Sequence, residues 1–193
     1  MLGEQCRFLA QFVRKPGAVG AVAPSSAQLA EKMVEWIEWE RAEAVVEFGP
    51  GTGAFTGHIL SRLKPGARFF AVEINPTFVS TLRGRFPGVT VHEDNVCRVG
   101  ELCRHEGIEQ VDAVICGLPW AAFRHQDQVA CLESLKAVLS PNGQFATFAY
   151  LQGLLLPAGQ RFRARLREYF SKVESSSVAW RNLPPAFVYR CRR

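Results

Sequence analysis

The chain has 193 residues, of which 48% are hydrophobic, so it is long enough and apolar enough to fold as one domain with a substantial core. This composition excludes a predominantly disordered chain. The formal net charge is +5, and residues 151–193 hold nine Lys or Arg against two Asp or Glu. Such asymmetry indicates a polyanionic partner, either nucleic acid or an anionic membrane, although a solvated charged face would have the same composition.

Cysteine and histidine usage gives no indication of a metal centre. The six cysteines include no C-x-x-C pair, and the four histidines lie at no metal-ligand spacing, so we expect reduced thiols and no bound metal. No run of eighteen apolar residues could cross a bilayer, and no signal-peptide block is present at the N-terminus. The expected location is therefore cytoplasmic, with any membrane contact peripheral.

The first forty residues predict two amphipathic helices. In residues 4–14 four apolar side chains share one helical face with two arginines beside it: Phe8, Leu9, Phe12, Val13, Arg7 and Arg14. Ser25 and Gln28 have the spacing of a capping box, which predicts a second helix ending near Glu40. We therefore divide the chain into an N-terminal helical extension, 1–40, and a main domain, 41–193.

From Ala44 onward the apolar pattern changes to short runs that alternate with amphipathic stretches. The predicted strands are residues 44–48, 68–72, 89–92, 111–116, 144–149, 173–180 and 186–191. Helical stripes lie between most of them, and a basic amphipathic helix is predicted around Phe162 and Leu166. This order predicts an α/β fold, with a mostly parallel seven-stranded sheet, helices on both faces and a C-terminal antiparallel hairpin.

A glycine-rich loop follows the first predicted strand and is the strongest functional signal. The run VVEFGPGTGAFT carries Glu47, Gly49, Pro50, Gly51 and Gly53. Glycine suits a tight turn against which a ligand lies, because a Cβ there would collide with the ligand. The spacing is not the G-x-G-x-x-G of nicotinamide-binding folds. The loop therefore indicates a bound nucleoside of another type.

Polar residues also follow the second and third predicted strands. Glu73 ends the second strand, where a carboxylate can accept hydrogen bonds from both hydroxyls of a ribose. Asp94 and Asn95 follow the third strand, in position to bond an adenine edge. Each acid alone could be an ordinary surface residue, but together with the glycine loop they predict one binding site.

The three segments resemble motifs I, post-I and II of class I S-adenosylmethionine-dependent methyltransferases. The resemblance implies their Rossmann-like sandwich fold, S-adenosylmethionine as cofactor and S-adenosylhomocysteine as product. By this resemblance the loop faces the methionine part, Glu73 the ribose and Asp94 the adenine. The complete set of expected cofactor-binding residues is Glu47, Gly49, Pro50, Gly51, Gly53, Glu73, Ile74, Asp94, Asn95 and Gly117.

The loop after the fourth predicted strand reads CGLPW, residues 116–120. Many enzymes that methylate amino groups carry Asn or Asp at the position of Gly117. The chain is similar to ribosomal RNA adenine dimethyltransferases in its GTGAFT segment, but glycine cannot supply the side-chain acceptor that bonds the adenine amine. An RNA adenine N6-methyltransferase is therefore the second hypothesis, and a non-catalytic adaptor that retains the cofactor fold is the third.

A resemblance that runs over nearly the whole chain is to bacterial phospholipid N-methyltransferases. It is carried by FVRKPGAVGAVAPSS, VVEFGPGTG, GLPW and WRNLPPAFVYR. It implies successive methylation of phosphatidylethanolamine to phosphatidylcholine. The expected catalytic residues are Gly117, Trp120 and Tyr150: Tyr150 would position the nitrogen, and Trp120, Phe123 and Tyr150 would surround the cationic product. All three aromatic residues could equally be core residues.

A lipid substrate implies an anionic membrane surface as partner and peripheral association with its inner face. Amphipathic helices with flanking arginines can dock reversibly at such a surface. The predicted lipid-binding arginines are Arg161, Arg163, Arg165 and Arg167, each contributing on the order of 1 kcal/mol near an anionic leaflet. Nucleic acid is the less favoured partner, and the sequence leaves the oligomeric state open.

Overall fold

A computed structural model describes residues 25–193 of the chain. The helix predicted over residues 4–14 lies outside the described residues. Within them, no helix combines the length and the hydrophobicity that crossing a bilayer requires.

Seven strands form one sheet in the order β3-β2-β1-β4-β5-β7-β6. They are β1 Ala44–Phe48, β2 Arg68–Glu73, β3 Thr90–Glu93, β4 Val111–Cys116, β5 Leu139–Tyr150, β6 Lys172–Ser175 and β7 Ala186–Arg192. Neighbouring strands from β3 to β5 are parallel, whereas β7 is antiparallel to both β5 and β6. The predicted fold class, including the C-terminal antiparallel pair, is confirmed.

Helices cover both faces of this sheet. They are α1 Ala27–Val34, α2 Thr56–Leu60, α3 Pro76–Arg85, α4 Val99–His105, α5 His125–Val138 and α6 Pro157–Tyr169. Side chains alternate along β1, so Val46 and Phe48 join a core with α4, α5 and α6, whereas Val45 joins a second core with α1 and α2. The carboxyl ends of β1 to β5 therefore meet at one edge between these layers.

Helix α1 differs from the predicted second helix at both ends. Its N-cap is Ser26 rather than Ser25, and the Ser26 hydroxyl accepts a hydrogen bond from the Leu29 N–H. It ends at Val34 rather than near Glu40, because the Trp39 indole N–H donates to the Val34 carbonyl and buried Gln144 accepts from the Glu38 N–H. The Gln144 bond joins residues 106 positions apart, so the helical period of the sequence does not reveal it.

Residues assigned to the N-terminal extension also contribute to the main core. Leu29, Met33 and Val34 are fully buried, and they pack with residues of β1, β4, β5 and β7. The packing therefore shows no break at residue 40.

Three other elements depart from the predicted pattern. Strand β5 begins at Leu139 rather than at Gln144, because Pro141 and Gly143 interrupt the apolar run on which the prediction is based. Strand β6 ends at Ser175 instead of continuing to Trp180, because the next residues form a loop that returns at the Ala179–Ala186 bridge. Helix α4 was not predicted, since its sequence VGELCRH contains a glycine and only a short apolar stripe.

Candidate active site

The glycine loop leaves the end of β1 and turns beside the end of β2. Gly49, Gly51 and Gly53 all have positive φ, at 61°, 57° and 83°, a conformation that residues with a Cβ rarely adopt. The Gly49 N–H donates to the Val72 carbonyl over 2.9 Å, which fixes the start of the turn. A Cβ built on Gly51 would have no atom within 4 Å, so this glycine borders open space.

Glu73 is buried at the end of β2 and is held by the loop it faces. Its Oε1 accepts from the Asn75 N–H over 2.9 Å, and its Oε2 accepts from the Gly51 N–H over 3.1 Å. Burial raises the pKa of Glu73, while the backbone N–H groups of Asn75, Gly51 and Ile74 lower it. The two carboxylate oxygens have four lone pairs between them, so the group retains capacity for a further hydrogen bond.

Asp94 and Asn95 lie after β3, as predicted, but both already have intramolecular partners. Asp94 Oδ2 accepts from Arg98 Nη1 over 2.7 Å, and its Oδ1 accepts from the Asn95 N–H over 2.6 Å. Asn95 Oδ1 caps the short 3-10 turn 96–98 by accepting from the Cys97 N–H. Asn95 Nδ2 is buried and has no hydrogen-bond partner among the described residues.

Glu47 lies beneath the loop and is fully buried. Its Oε2 accepts from the Thr56 hydroxyl over 2.7 Å, whereas its Oε1 has no hydrogen-bond partner in the described part of the chain. Burial raises the pKa of Glu47 to about 8, partly opposed by the Thr56 bond and increased by the nearby charge of Glu73. Glu47 is therefore a carboxyl group that holds its proton at neutral pH in this state of the site.

Gly117 lies where the loop after β4 touches the glycine loop. Its N–H donates to the Phe48 carbonyl over 2.7 Å. A Cβ on Gly117 would lie 2.5 Å from the Gly49 carbonyl oxygen, which no real Cβ contact allows. The glycine is therefore required by the close approach of two backbones, and this position can offer a substrate only main-chain groups.

A largely apolar cavity of about 170 Å³ lies beside this loop. It is bounded by the loop after β4, the end of β5, the 3-10 turn Leu151–Leu155 and α6. Its lining residues are Pro119, Trp120, Ala122, Phe148, Ala149, Tyr150, Gln152, Gly153, Leu154, Leu156, Gly159, Phe162 and Tyr189. The motif reasoning did not identify Phe148, Phe162 or Tyr189, whose contribution depends on contacts between distant segments.

The three predicted aromatic residues have different positions at this cavity. Trp120 is only 2% exposed and stacks on Phe162, with ring centroids 5.2 Å apart. Phe123 is buried behind Trp120, at a centroid distance of 5.7 Å, and does not line the cavity. Tyr150 lines it and is partly exposed, and burial raises the pKa of its hydroxyl, which therefore stays protonated at neutral pH.

Two exposed apolar segments flank the cavity. Leu155 is 83% exposed and Leu183 is 81% exposed, and Leu156 and Trp180 are also exposed. The segments are adjacent because the Leu151 N–H donates to the Pro185 carbonyl and Tyr150 pairs with Ala186 across β5 and β7. We call these four residues the apolar rim.

One of the four predicted lipid-binding arginines is not available on the surface. Arg165 is 8% exposed, and its Nη1 donates to the side-chain oxygen of buried Gln128. Helical geometry places it near Phe162 and Leu166 on the inner face of α6, so its inclusion in the set was wrong. Arg161, Arg163 and Arg167 are exposed.

An S-adenosyl nucleoside fits the groups that the loops leave available. Glu73 could accept from its ribose hydroxyls, and buried Asn95 Nδ2 is a donor in need of an acceptor such as an adenine ring nitrogen. The open space beside Gly51 admits a ligand against the backbone, and the unpartnered Glu47 Oε1 suits an amino group. The polar groups present thus match the polar groups of the expected cofactor.

Known proteins with similar sequences are methyltransferases. A family described as "Methyltransferase domain" matches residues 46–145. The ornithine lipid N-methyltransferase of Singulisphaera acidiphila is 36% identical over 188 residues, which cover 96% of this chain and 94% of that protein. Ribosomal RNA small subunit methyltransferase A of Burkholderia mallei is 42% identical over 57 residues, only 29% of this chain and 21% of that protein.

The fold is also that of known methyltransferases. The crystal structure of an O-methyltransferase from Bacillus cereus in complex with S-adenosylhomocysteine has a TM-score of 0.69, with 98% of this chain and 91% of that chain covered at 12% identity. At this identity the likeness concerns the fold alone. With the family match and the full-length similarity, it leads to one conclusion: the chain belongs to the class I methyltransferases, enzymes that use S-adenosylmethionine as methyl donor.

Proposed function

We propose that this protein methylates the amine of a membrane lipid, and specifically that of phosphatidylethanolamine and its partly methylated forms, to give phosphatidylcholine. The observation that carries the proposal is the apolar cavity lined by Pro119 and Trp120 of the loop after β4, whose neighbouring segments expose large apolar side chains. The full-length similarity to an ornithine lipid N-methyltransferase supports a lipid amine as the acceptor class.

The apolar rim supports a substrate that lies in a bilayer. Among the described residues, the exposed large apolar side chains are those of Leu155, Leu156, Trp180 and Leu183, all on the two segments next to the cavity. A water-soluble acceptor would not explain why these side chains are exposed together. Burial of each of them in a bilayer would contribute roughly 1.5–3 kcal/mol to membrane binding. Exposed Arg161 and Arg181 lie on these segments or next to them and could bind anionic headgroups.

The cavity lining suits the deprotonation that methyl transfer requires. A primary alkyl amine has a pKa of about 10.4 in water, so it enters mostly as an ammonium ion that cannot act as a nucleophile. An apolar lining disfavours the charged form and lowers this pKa, so the ammonium ion releases its proton to solvent water as it enters the cavity. The Tyr150 hydroxyl can accept a hydrogen bond from the nitrogen and orient its lone pair toward the cofactor loop.

The bound cofactor supplies an electrophilic methyl group on its sulfonium centre. The chain itself has to bind the amine close to that group, exclude water and accommodate a product that becomes a fixed cation. Aromatic faces attract such a cation. Because Trp120 is covered by Phe162, Tyr150 and Phe148 are the more accessible aromatic residues for this task.

The RNA hypothesis has weaker support. Its sequence similarity is confined to 57 residues, and residue 117 has no space for the side-chain acceptor found in the adenine dimethyltransferases. A side-chain amide at this position would require the glycine loop, with its Gly49 carbonyl, to move away from residue 117.

One experiment compares the three hypotheses. Labelled S-adenosylmethionine is supplied with anionic vesicles that contain phosphatidylethanolamine, with matched vesicles that contain ornithine lipid, and with an RNA transcript. We expect label in mono-, di- and trimethylated phosphatidylethanolamine. If the label is mainly in ornithine lipid, phosphatidylethanolamine is not the specific substrate, but the acceptor is still a lipid amine. Label in RNA, or cofactor binding with no turnover on any acceptor, would overturn the proposal.

A further inference from the structure

A cluster of metal-ligating side chains lies outside the methyl-transfer site. His92 on β3 and the consecutive residues His105 and Glu106 at the end of α4 each offer one ligand atom, and these three atoms lie within 4.8 Å of one another. We propose that they form a binding site for a divalent transition-metal ion of the zinc class, with a fourth position left for water.

The distances are close to those of ligands that share one ion. His92 Nε2 lies 3.0 Å from Glu106 Oε1, and His105 Nδ1 lies 3.1 Å from the same oxygen. Ligand atoms at ordinary zinc distances and tetrahedral angles are about 3.4 Å apart. The third pair, His92 Nε2 and His105 Nδ1, lies within 4.8 Å, and rotation of the exposed His105 side chain would bring these two nitrogens closer around an ion.

The buried histidine nitrogen has no other satisfactory partner. His92 Nε2 is shielded from solvent and makes no hydrogen bond of acceptable geometry with the described residues, even though Glu106 Oε1 is near. A buried polar atom without a hydrogen bond costs free energy, and a metal ion would use its lone pair. Two imidazoles and one carboxylate are a ligand set that zinc accepts readily.

Neighbouring contacts fix the orientation of the ligands. The His92 ring packs edge-on against Phe70, with centroids 5.3 Å apart and an interplanar angle of 88°. The Glu106 carbonyl accepts a hydrogen bond from Arg68 Nη1 over 2.9 Å, which ties the end of α4 to the start of β2. Such outer contacts limit the rearrangement that metal binding requires.

The location gives the ion a defined structural consequence. Its ligands lie on either side of the segment 94–98, which carries Asp94 and Asn95 of the expected adenine site. An ion would join β3 to the end of α4 and restrain this segment. The cluster escaped the sequence reasoning because His92 and His105 are thirteen residues apart, and only the β3–α4 fold brings them together.

The test is zinc titration by competition with a chromophoric chelator, on the wild-type protein and on single variants. We expect one zinc ion per chain, binding at least tenfold weaker in His92→Gln and His105→Gln, and unchanged in His125→Gln. His125 is an exposed histidine on α5, outside the cluster, and serves as matched control. His105 is also exposed, so its variant remains informative if His92→Gln does not fold.

A second readout separates this site from adventitious thiol binding. Zinc should raise the unfolding temperature of the wild type and of His125→Gln, and should not raise that of His105→Gln. No zinc bound to the wild type, or equal binding by the wild type and both cluster variants, would overturn the proposal.

Discussion

The cofactor half of this molecule, at the ends of β1 to β3, is polar, whereas the acceptor half, beyond β4, is apolar. At the ends of β1, β2 and β3, buried carboxyl and amide groups accept hydrogen bonds: Glu47 from the Thr56 hydroxyl, and Glu73 and Asn95 from backbone N–H groups. Beyond β4 the cavity is lined almost wholly by apolar and aromatic side chains. The cofactor half is suited to a polar ligand that binds fixed donors and acceptors. The acceptor half is suited to an apolar ligand with a single polar group.

This difference predicts that the two halves can be impaired separately. Changes at the glycine loop should weaken cofactor binding with any acceptor. Changes at the cavity or the apolar rim should reduce lipid methylation and leave cofactor affinity unchanged. A substitution that altered both equally would contradict the division.

The largest effect is expected from Gly51→Ala. Its new methyl group would enter the open space beside the loop, so we expect S-adenosylhomocysteine affinity to fall on the order of 1,000-fold, about 4 kcal/mol. Gly66→Ala is the matched control, because Gly66 also has positive φ, at 84°, and a Cβ there would meet nothing within 4 Å, but it lies on the turn before β2. Both variants should lose similar stability, about 1–2 kcal/mol, from backbone strain.

Calorimetric titration measures the S-adenosylhomocysteine affinity of the two glycine variants, and thermal unfolding measures their stability. Equal cofactor affinity in Gly51→Ala and Gly66→Ala would mean that the open space at Gly51 does not hold the cofactor. Equal stability with unequal affinity is the expected pattern.

The cofactor half could be predicted from the sequence because its determinants are local. The turn needs glycines at positive φ, and each polar residue lies at or just after the end of a strand, a position that the sheet fixes. For Glu73 the position therefore followed from the strand pattern. The partners could not be predicted: the Arg98 bond to Asp94 and the Thr56 bond to Glu47 depend on how short helices settle against the strand ends.

The acceptor half was harder to predict because its cavity joins residues that are far apart in the sequence. Trp120 is covered by Phe162 of α6, and Tyr189 comes from β7, so neither local motif nor helical period defines the shared cavity. The basic pattern of α6 also gave an error at Arg165. A charged residue on an apolar face was counted as surface, although Gln128 provides it with a buried partner.

The second prediction concerns the apolar rim. The double variant Leu155→Glu and Leu183→Glu should lower methylation of lipid in vesicles by about 10- to 100-fold, because two apolar contacts with the bilayer are replaced by repelled charges. The control, Gln110→Glu with Gln126→Glu, adds the same charge at two other exposed positions. S-adenosylhomocysteine affinity should stay unchanged in both proteins.

Vesicle co-sedimentation provides the independent readout for the rim. The rim variant should remain in the supernatant under conditions in which the control pellets with vesicles. Normal sedimentation and normal turnover of the rim variant would show that these leucines do not contact the membrane.

The third prediction tests the Tyr150 hydroxyl. Tyr150→Phe keeps the cavity shape and removes one hydrogen-bonding group, so kcat should fall about tenfold, the value of one well-placed hydrogen bond. Tyr169→Phe, on α6 away from the cavity lining, should keep wild-type kcat. If Tyr150→Phe turns over at the wild-type rate while cofactor affinity is intact, the hydroxyl has no part in positioning the amine.

The smallest effect concerns Glu47, the buried acid with one unpartnered oxygen in the cofactor half. Its pKa is raised from 4.5 to about 8 in the folded protein by burial. Below pH 4.5 both the folded and the unfolded chain carry this proton. Between pH 4.5 and about 8 only the folded chain carries it, so rising pH favours unfolding. The stability contribution is therefore complete below the unfolded pKa and is lost as the pH rises through the folded value.

Glu47→Gln removes this titration without changing the size of the side chain. Between pH 6 and 7 the free energy of unfolding of the cofactor-free wild type should fall by up to about 1 kcal/mol more than that of the variant. Denaturant unfolding at several pH values measures the two slopes, and subtraction removes the contribution of the histidines, which both proteins share. Equal pH dependence of the unfolding free energy in the two proteins would mean that Glu47 is ionised in the folded state. A cationic group near its Oε1 in the cofactor-free protein would have that effect.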